Sequence, residues 1–529
     1  MSQALTMNLA DFVREHAVHN PDKVAVRMAE NNYSYAQVNA VANQIANYLR
    51  SVGVTKGDKV ALSCPNLPYF TFVYYGILKA GAVVAPLNVL LKGREIAYHL
   101  NDSDAKVYFC FEGTDELPMA TMGKQGFDEA ETCEQFVVMT ADPQAPSPVE
   151  GATTLGSILA SQAPTFESIA TQPEDTAVIL YTSGTTGQPK GAELSHLNMV
   201  LNARASAELF ALPDQDASES VGLVVLPLFH SFGQTCIQNA IFYGGGTITL
   251  LPRFDAAQAW QVMREHSVNV FAGVPTMYWA LLNEAKHLSS EDLAFYKEHL
   301  QICSSGGSAM PVELLKNFEQ TFGVSIMEGY GLSETSPVAS FNHKNRERKP
   351  GSVGQAILGV DIKIVDSDDN EVPTGELGEI LIRGHNVMKG YYKRPEATQE
   401  VMRGGWFHSG DIGRKDDEGY VYIADRVKDM ILRGGYNVYP REIEEVLMTH
   451  PEVSMAAVVG LPDERHGEEI RAFLVMKEGS SATPEAMIDW SKEQMAAYKY
   501  PREVIFKDSL PMNATGKILK RELRSEAQA

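Results

Sequence analysis

The first third of the chain alternates between two hydrophobic patterns. Short apolar runs such as VAVRM, KVALSC, VVAPLN and VYFCF predict buried strands, and the longer segments between them repeat apolar residues at the spacing of a helix face. In SYAQVNAVANQIANYLRSVGV, the residues at this spacing are Val38, Val41, Ala42, Ile45 and Leu49. Because strands that alternate with helices favour parallel pairing, this pattern predicts an α/β fold.

The pattern changes twice further along the chain. The middle carries more buried strand-like runs, among them TAVILYT, TITLLP and SIMEGYG, with helical segments between them. From about residue 355 the strands become short and are joined by Asp, Asn and Gly turns, which predicts antiparallel pairing. The end of the chain, from near DRVKD, combines strands and helices in a separate α+β unit. We therefore predict a large N-terminal α/β domain over residues 1–425 and a small C-terminal domain over 429–529.

Composition excludes several classes of protein. The 529 residues are 44% hydrophobic and 21% charged, as in globular proteins, and the formal net charge of −22 disfavours nucleic acid as a partner. Five cysteines without a C-x-x-C pair predict neither disulfides nor a zinc site. We find no signal peptide and no run of about 18 apolar residues that would predict a transmembrane segment. We therefore expect a cytoplasmic protein, and the sequence leaves peripheral membrane contact and a homodimer open.

The segment YTSGTTGQPKGA, residues 181–192, surrounds one lysine with glycines and hydroxyl groups directly after an apolar run. A strand followed by a glycine-rich turn and a helix is a recurrent geometry for binding phosphate, because backbone N–H groups and the helix dipole both favour a polyanion. The Walker pattern is not met, since Gly191 follows Lys190 where Ser or Thr is required. We predict a phosphate loop of another type. Its candidate ligands are Thr182, Ser183, Gly184, Thr185, Thr186, Gly187 and Lys190.

The same segment resembles the signature loop of the acyl-adenylate-forming superfamily, which includes acyl-CoA synthetases, peptide-synthetase adenylation domains and luciferases. Further segments resemble that family in the family's order: PLFHSFG, SSGGSAMP, EGYGLSETSP, GWFHSGDIG, DRVKDMILRGGYNVYPREIE and NATGKILKREL. The resemblance implies a multi-layer α/β domain with a small distorted β-barrel portion, a mobile C-terminal domain hinged near Lys428, and the use of ATP, Mg²⁺ and CoA. We find no segment that resembles a carrier domain, and we therefore expect the acyl-CoA synthetase branch.

The resemblance also implies an ATP site. The ring of Tyr330 offers an apolar face to an adenine, and Glu334 supplies a hard oxygen ligand for Mg²⁺. Ser333 stands where the family usually has threonine and keeps the hydroxyl that would contact the α-phosphate. Asp411 would accept the ribose hydroxyls, and Arg426 would contact the ribose or a phosphate. Further ATP-site residues implied by the resemblance are Gly307, Glu328 and Gly329.

Adenylate formation brings a carboxylate and a triphosphate together, so catalysis requires positive charge near the transferring group. Lys517 in NATGK is the residue we expect to supply that charge in the first half-reaction, together with Lys190 and Ser333. The resemblance implies that the small domain then rotates. That rotation would withdraw Lys517 and bring the Gly434–Gly435 backbone to the site for the pantetheine arm of CoA.

The resemblance assigns His230 to the carboxylate pocket, and Phe232 and Gln234 are candidate gate residues for the acyl group. Gly306 and Gly331 complete the acyl-binding set. The surrounding segments contain no arginine that would select a dicarboxylate, so a medium- or long-chain fatty acid is the first choice. Three alternatives stay open: an aromatic-acid CoA ligase of the cinnamate or benzoate type, an acyl-AMP ligase that loads a carrier protein, and a non-catalytic nucleotide-binding protein.

Overall fold

The computed structural model describes residues 5–182, 188–209, 217–426, 428–463 and 465–528. Five of the proposed phosphate ligands lie outside the described residues: Ser183, Gly184, Thr185, Thr186 and Gly187.

Strands occur along the whole chain. In chain order they are β1 (Val24–Met28), β2 (Asn31–Ser34), β3 (Lys59–Ser63), β4 (Val83–Pro86), β5 (Ala105–Phe111), β6 (Gln135–Met139), β7 (Thr153–Thr154), β8 (Thr176–Thr182), β9 (Lys190–Ser195), β10 (Val221–Val224), β11 (Thr247–Leu250), β12 (Val270–Gly273), β13 (Ile302–Ser305), β14 (Ile326–Gly331), β15 (Val338–Phe341), β16 (Gln355–Ala356), β17 (Val360–Val365), β18 (Gly378–Gly384), β19 (Gly390–Tyr391), β20 (Met402–Arg403), β21 (Trp406–Lys415), β22 (Val421–Arg426), β23 (Ile431–Arg433), β24 (Tyr436–Val438), β25 (Val453–Asp463), β26 (Gly467–Met476) and β27 (Glu503–Phe506).

Helices separate most of these strands. They are α1 (Asp11–His19), α2 (Tyr35–Ser51), α3 (Pro68–Lys79), α4 (Gly93–Ser103), α5 (Met119–Asp128), α6 (Leu155–Ser161), α7 (His196–Leu209), α8 (Ala240–Gly244), α9 (Ala256–Glu265), α10 (Pro275–Glu284), α11 (Ser290–His299), α12 (Val312–Phe322), α13 (Pro395–Val401), α14 (Pro440–Met448), α15 (Pro484–Gln494) and α16 (Lys520–Gln528). A π-helix spans Phe232–Asn239, and short 3₁₀ turns span Ala217–Glu219, Ala285–His287 and Ser333–Thr335.

Helix α2 shows how the sequence pattern produces the local structure. Ser34 accepts a hydrogen bond from the backbone of Gln37, and the Gln37 side chain accepts one from the backbone of Ser34, so a capping box starts the helix. The predicted face at Val38 and Leu49 is buried, while Val41 is half-buried at its border. Helix α3 packs against α2 and covers that face.

Two large sheets, both mostly parallel, form the body of the protein. One has the order β19-β9-β8-β4-β3-β5-β6-β7 and the other has the order β16-β15-β14-β13-β12-β10-β11-β1-β2. Strand β1 joins the second sheet beside β11, although the strands that follow it in the chain, β3 to β6, form the first. The α/β class expected from the alternating pattern is confirmed.

Two smaller sheets complete the fold. Strands β17, β18, β20, β21 and β22 pair antiparallel in one sheet, as expected for the region after residue 355. The last sheet has the order β24-β23-β26-β25, with β27 parallel to β26. The buried residues of the largest hydrophobic cluster all lie at or before Val421 in the sequence. Two smaller clusters are formed by buried residues of the C-terminal region, from Ile431 and from Met455 onwards.

The expectation of a helix directly after the phosphate loop is wrong. Lys190 begins strand β9, which pairs antiparallel with β8 in the register Thr182 to Lys190, so the loop closes a hairpin. Helix α7 begins only after Ser195, whose hydroxyl accepts from the Asn198 backbone while its own N–H donates to the Asn198 side chain. The backbone groups of β9 are satisfied by β8 and β19 on its two sides, and this favours a strand over a helix.

Candidate active site

A cleft of about 1340 Å³ opens where the two large sheets, the β21–β22 hairpin and the loop before α16 meet. Most of the residues predicted for the site line it. They are Thr182, Lys190, His230, Phe232, Gly306, Gly307, Gly329, Tyr330, Gly331, Ser333, Glu334, Arg426, Lys428 and Lys517. The predicted site residues in the described ranges that do not line it are Gln234, Glu328, Asp411, Gly434 and Gly435.

Tyr330, Asp411 and Arg426 form one hydrogen-bonded group at the edge of the cleft. The register of β21 and β22 places Asp411 opposite Arg426, and Arg426 Nε lies 3.2 Å from Asp411 Oδ1. The Tyr330 hydroxyl donates to Asp411 Oδ2 over 2.6 Å. Burial raises the pKa of Asp411 and Arg426 lowers it, while burial and Asp411 raise the pKa of Tyr330. The hydroxyl of Tyr330 therefore keeps its proton and donates it in the hydrogen bond. The carboxylate of Asp411 is held between Tyr330 and Arg426.

Lys517 belongs to a loop of the C-terminal region that docks on the large domain. The Asn513 side chain accepts from the backbone N–H of Lys517 over 2.9 Å. Thr276 at the start of α10 donates to the carbonyl of Gly516 over 2.9 Å. Gly516 has φ +78°, and a Cβ there would lie 2.8 Å from Val274, so glycine permits this close approach. Burial, with a smaller contribution from Arg426, lowers the pKa of Lys517 to about 8.

The lowered pKa of Lys517 predicts a pH limit on the adenylate formation that the sequence leads us to expect. We expect the cation to be the active form, and it is lost as the pH rises through about 8, so kcat/KM for ATP should fall above that pH. Pyrophosphate exchange measured from about pH 6.5 to about pH 9.5 tests this. In Lys517→Arg the side chain stays charged, so its profile should lack this alkaline limb. An unchanged limb in the arginine variant would assign the titration to another group.

Glu334, Tyr391 and Lys190 meet on the opposite wall of the cleft. The Tyr391 hydroxyl donates to Glu334 Oε1 over 2.8 Å, and Lys190 Nζ lies 5.3 Å from the centre of the Tyr391 ring. Glu334 is buried, and its other carboxylate oxygen has no hydrogen bond to the described residues. A carboxylate oxygen of this kind suits Mg²⁺. The sequence analysis missed Tyr391, because nothing in GYYKRP distinguishes it from a core tyrosine.

Within the described ranges, a single group brings three metal-ligating side chains together. It consists of Asp463, His466 and Glu469, in the C-terminal sheet and outside the cleft. Glu469 already binds Arg433 through both carboxylate oxygens, over 2.6 and 2.9 Å. We therefore treat this group as an ion-pair cluster of the small domain.

His230 lies at the start of the predicted acyl region. Its Nδ1 accepts from the backbone N–H of Phe232 over 3.3 Å, so a neutral ring carries its proton on Nε2. Burial, followed by the nearby charge of Lys517, lowers the pKa of His230 to about 4. The imidazole therefore stays neutral near neutral pH and offers one N–H donor.

The structure gives the two candidate gate residues different positions. Phe232 lines the cleft, and its ring would lie 3.3 Å from a Cβ on Gly306. Gln234 is fully buried outside it: its amide oxygen accepts from the Tyr74 hydroxyl, and its amide nitrogen donates to the Leu228 carbonyl. Assigning Gln234 to the acyl-binding wall is therefore wrong. The π-helix turns this side chain towards α3.

Glu328 and the glycine pair also lie outside the cleft. Burial raises the pKa of Glu328 to about 7, and its carboxylate accepts from the Gly351 backbone over 3.3 Å. Gly434 and Gly435 form the exposed turn between β23 and β24, with φ of +58° and +84°. The small domain thus presents Lys517 to the cleft and holds the glycine turn away from it.

Comparisons with known proteins agree with this geometry. The model of the AMP-binding enzyme family matches residues 13–392, and the model of the AMP-binding enzyme C-terminal domain matches residues 442–517. The chain is 35% identical to a long-chain-fatty-acid–CoA ligase of Bacillus subtilis, over 98% of this chain and 94% of that protein. It is also 35% identical to a feruloyl-CoA synthase of an Amycolatopsis species, over 96% of each chain.

A solved structure is similar over almost the whole length. The crystal structure of ATP-bound MatB from Rhodopseudomonas palustris matches 99% of each chain with a TM-score of 0.87 and 31% identity. The chain therefore belongs to the AMP-binding enzyme family, in the acyl-CoA synthetase branch of the acyl-adenylate-forming enzymes.

Proposed function

We propose that the protein joins a medium- or long-chain fatty acid to CoA in two steps at this cleft. In the first, a carboxylate oxygen attacks the α-phosphorus of ATP, and acyl-AMP forms as pyrophosphate leaves. In the second, the CoA thiolate attacks the acyl carbonyl, and AMP leaves. The observation that carries the proposal is the position of Lys517, which lies in one cleft with Lys190 and Glu334 although it belongs to the C-terminal region.

Several side chains of the cleft, and Asp411 at its edge, would act in the first step. Lys517 and Lys190 would stabilise the negative charge that develops on the phosphates, and Ser333 would donate to the α-phosphate. The Tyr330–Asp411–Arg426 group would hold the nucleoside, with Asp411 as the ribose acceptor. His230 would donate its Nε2 proton to the acid carboxylate. Mg²⁺, when bound, supplies positive charge to the phosphates, and Glu334 would hold it.

The second step requires the small domain to move. We propose domains over residues 1–425 and 429–529 with the hinge at Lys428, so that rotation exchanges Lys517 for the Gly434–Gly435 turn. Among the described residues, five hydrogen bonds join the two proposed domains. Three lie far from the hinge and would open in this rotation: Thr276 to Gly516, Trp279 Nε1 to Ser454 over 2.8 Å, and the Val312 backbone to Glu445 over 3.3 Å. The other two join Arg441 to Asp425 and to the Ile423 carbonyl, close to the hinge.

The lining of the cleft supports an apolar acid. It includes the uncharged side chains of Phe232, Cys236, Val274, Val338 and Phe341. The fatty-acid ligase of Bacillus subtilis supports an aliphatic substrate, and the feruloyl-CoA synthase supports an aromatic acid as the second candidate.

A panel of acids tests the proposal. Pyrophosphate release should be fastest with a fatty acid, and each added methylene should raise kcat/KM about fourfold until the pocket is filled. Addition of CoA should then yield a thioester. A higher kcat/KM with ferulate or benzoate than with any fatty acid would favour the aromatic alternative. Pyrophosphate release without a thioester would favour an acyl-AMP ligase.

We also propose that the protein acts in the cytoplasm. All five cysteines are free and buried, as is usual in a reducing compartment. Within the described ranges, no helix combines the length and apolar character needed to cross a membrane.

A further inference from the structure

Residues 388–392 connect two parts of the cleft that are far apart in the sequence. The backbone of Met388 donates to the carbonyl of Glu334 over 2.8 Å. Strand β19 pairs with β9, and the backbone of Tyr392 donates to the carbonyl of Gly191 over 2.8 Å. One short segment therefore ties the Glu334 turn to the strand that carries Lys190.

The side chain of Tyr391 makes the same connection inside the cleft. Its hydroxyl donates to Glu334 Oε1 over 2.8 Å, and its ring faces the Lys190 ammonium at 5.3 Å. The side chain lines the cleft and is half-buried.

We propose that Tyr391 is a positioning residue that orients both Glu334 and Lys190 for the metal-bound triphosphate, an inference that rests on the proposed function. By binding Oε1, the phenol restrains the carboxylate, and Oε2 would be the oxygen that binds a divalent cation. Hydrogen bonds to a metal-ligating carboxylate commonly set its orientation and the metal affinity. The ring face restrains the flexible lysine through a cation–π contact.

Tyr391→Phe tests the hydroxyl, because it keeps the ring and its contact with Lys190. We expect the Mg²⁺ concentration at half-maximal pyrophosphate exchange to rise about 10- to 100-fold. Calorimetric titration of Mg²⁺ into enzyme that holds a non-hydrolysable ATP analogue should show the same loss of affinity without turnover. Thioester formation from supplied acyl-AMP should keep the wild-type rate, because that step uses no triphosphate.

Tyr392→Phe is the matched control. Its hydroxyl donates to Asp104 over 2.7 Å, away from Glu334, so this variant should keep the wild-type Mg²⁺ midpoint. Tyr391→Leu removes the ring as well and should weaken binding of the ATP analogue more than Tyr391→Phe does.

Two results would overturn the proposal. One is a Tyr391→Phe enzyme with the Mg²⁺ midpoint of the wild type. The other is an equal shift in Tyr391→Phe and Tyr392→Phe, which would indicate a general effect of the segment. Failure of the proposed function is distinguishable, because then the wild type would exchange no pyrophosphate with any acid while the calorimetric titration would still report on Tyr391.

Discussion

Lys517→Ala is expected to slow adenylate formation by a factor on the order of 10² to 10³ while thioester formation from supplied acyl-AMP continues. The reason is that Lys517 reaches the cleft only through the docked loop that Thr276 holds at Gly516. In the proposed rotation of the small domain, the lysine would move away from the phosphates. Pyrophosphate exchange measures the first half-reaction, and conversion of synthetic acyl-AMP with CoA measures the second.

The control for this variant is Lys492→Ala. Lys492 is an exposed lysine of the same domain, paired with Asp489 on one helix surface, so its loss should change neither half-reaction. Equal loss of both half-reactions in Lys517→Ala would contradict the assignment of Lys517 to adenylation. It would indicate instead that the residue supports the small domain as a whole.

Asp411→Asn is expected to impair both half-reactions, which distinguishes it from Lys517→Ala. Asp411 binds Tyr330 and Arg426 in the large domain, and both ATP and acyl-AMP carry the ribose that it would bind. A hydrogen bond to a charged group contributes about 1.5–3 kcal/mol, so kcat/KM for ATP should fall by roughly 10- to 100-fold. The same factor should appear in kcat/KM for acyl-AMP.

Two further variants test this interpretation. Asp361→Asn removes an exposed carboxylate of the same antiparallel sheet, paired with Arg383, and should have no effect on either step. Tyr330→Phe combined with Asp411→Asn should cost less than the sum of the single changes, because the two residues share one hydrogen bond. Strict additivity would show that Tyr330 and Asp411 act independently. A loss confined to adenylation would exclude a role for Asp411 in binding the ribose of acyl-AMP.

Much of the fold was predictable because it depends on residues that are close in the sequence. The buried face of α2 follows from apolar residues at helical spacing, and its start follows from Ser34 and Gln37. The antiparallel pairing after residue 355 follows from its turns. The family was predictable because it rests on short motifs in a fixed order along the chain, and the family models confirm it. The predicted acyl-CoA synthetase branch is confirmed by the similarity to a long-chain-fatty-acid–CoA ligase.

The site was only partly predictable, because local sequence patterns do not show which residues far apart in the chain come into contact. The helix expected after the phosphate loop is a strand, because β9 finds hydrogen-bonding partners on both sides. Gln234 is directed away from the acyl wall by the π-helix and bound by Tyr74. Tyr391 contacts Glu334 only in the folded chain, because the two residues are 57 positions apart in the sequence.

The sequence by itself determined the local elements, the chemical groups available for catalysis and the family. The tertiary structure alone decided which of those groups share one cleft. The physical reason is range: periodicity and capping act over a few residues, whereas the contact of Thr276 with Gly516 joins positions 240 apart and forms only in the folded chain.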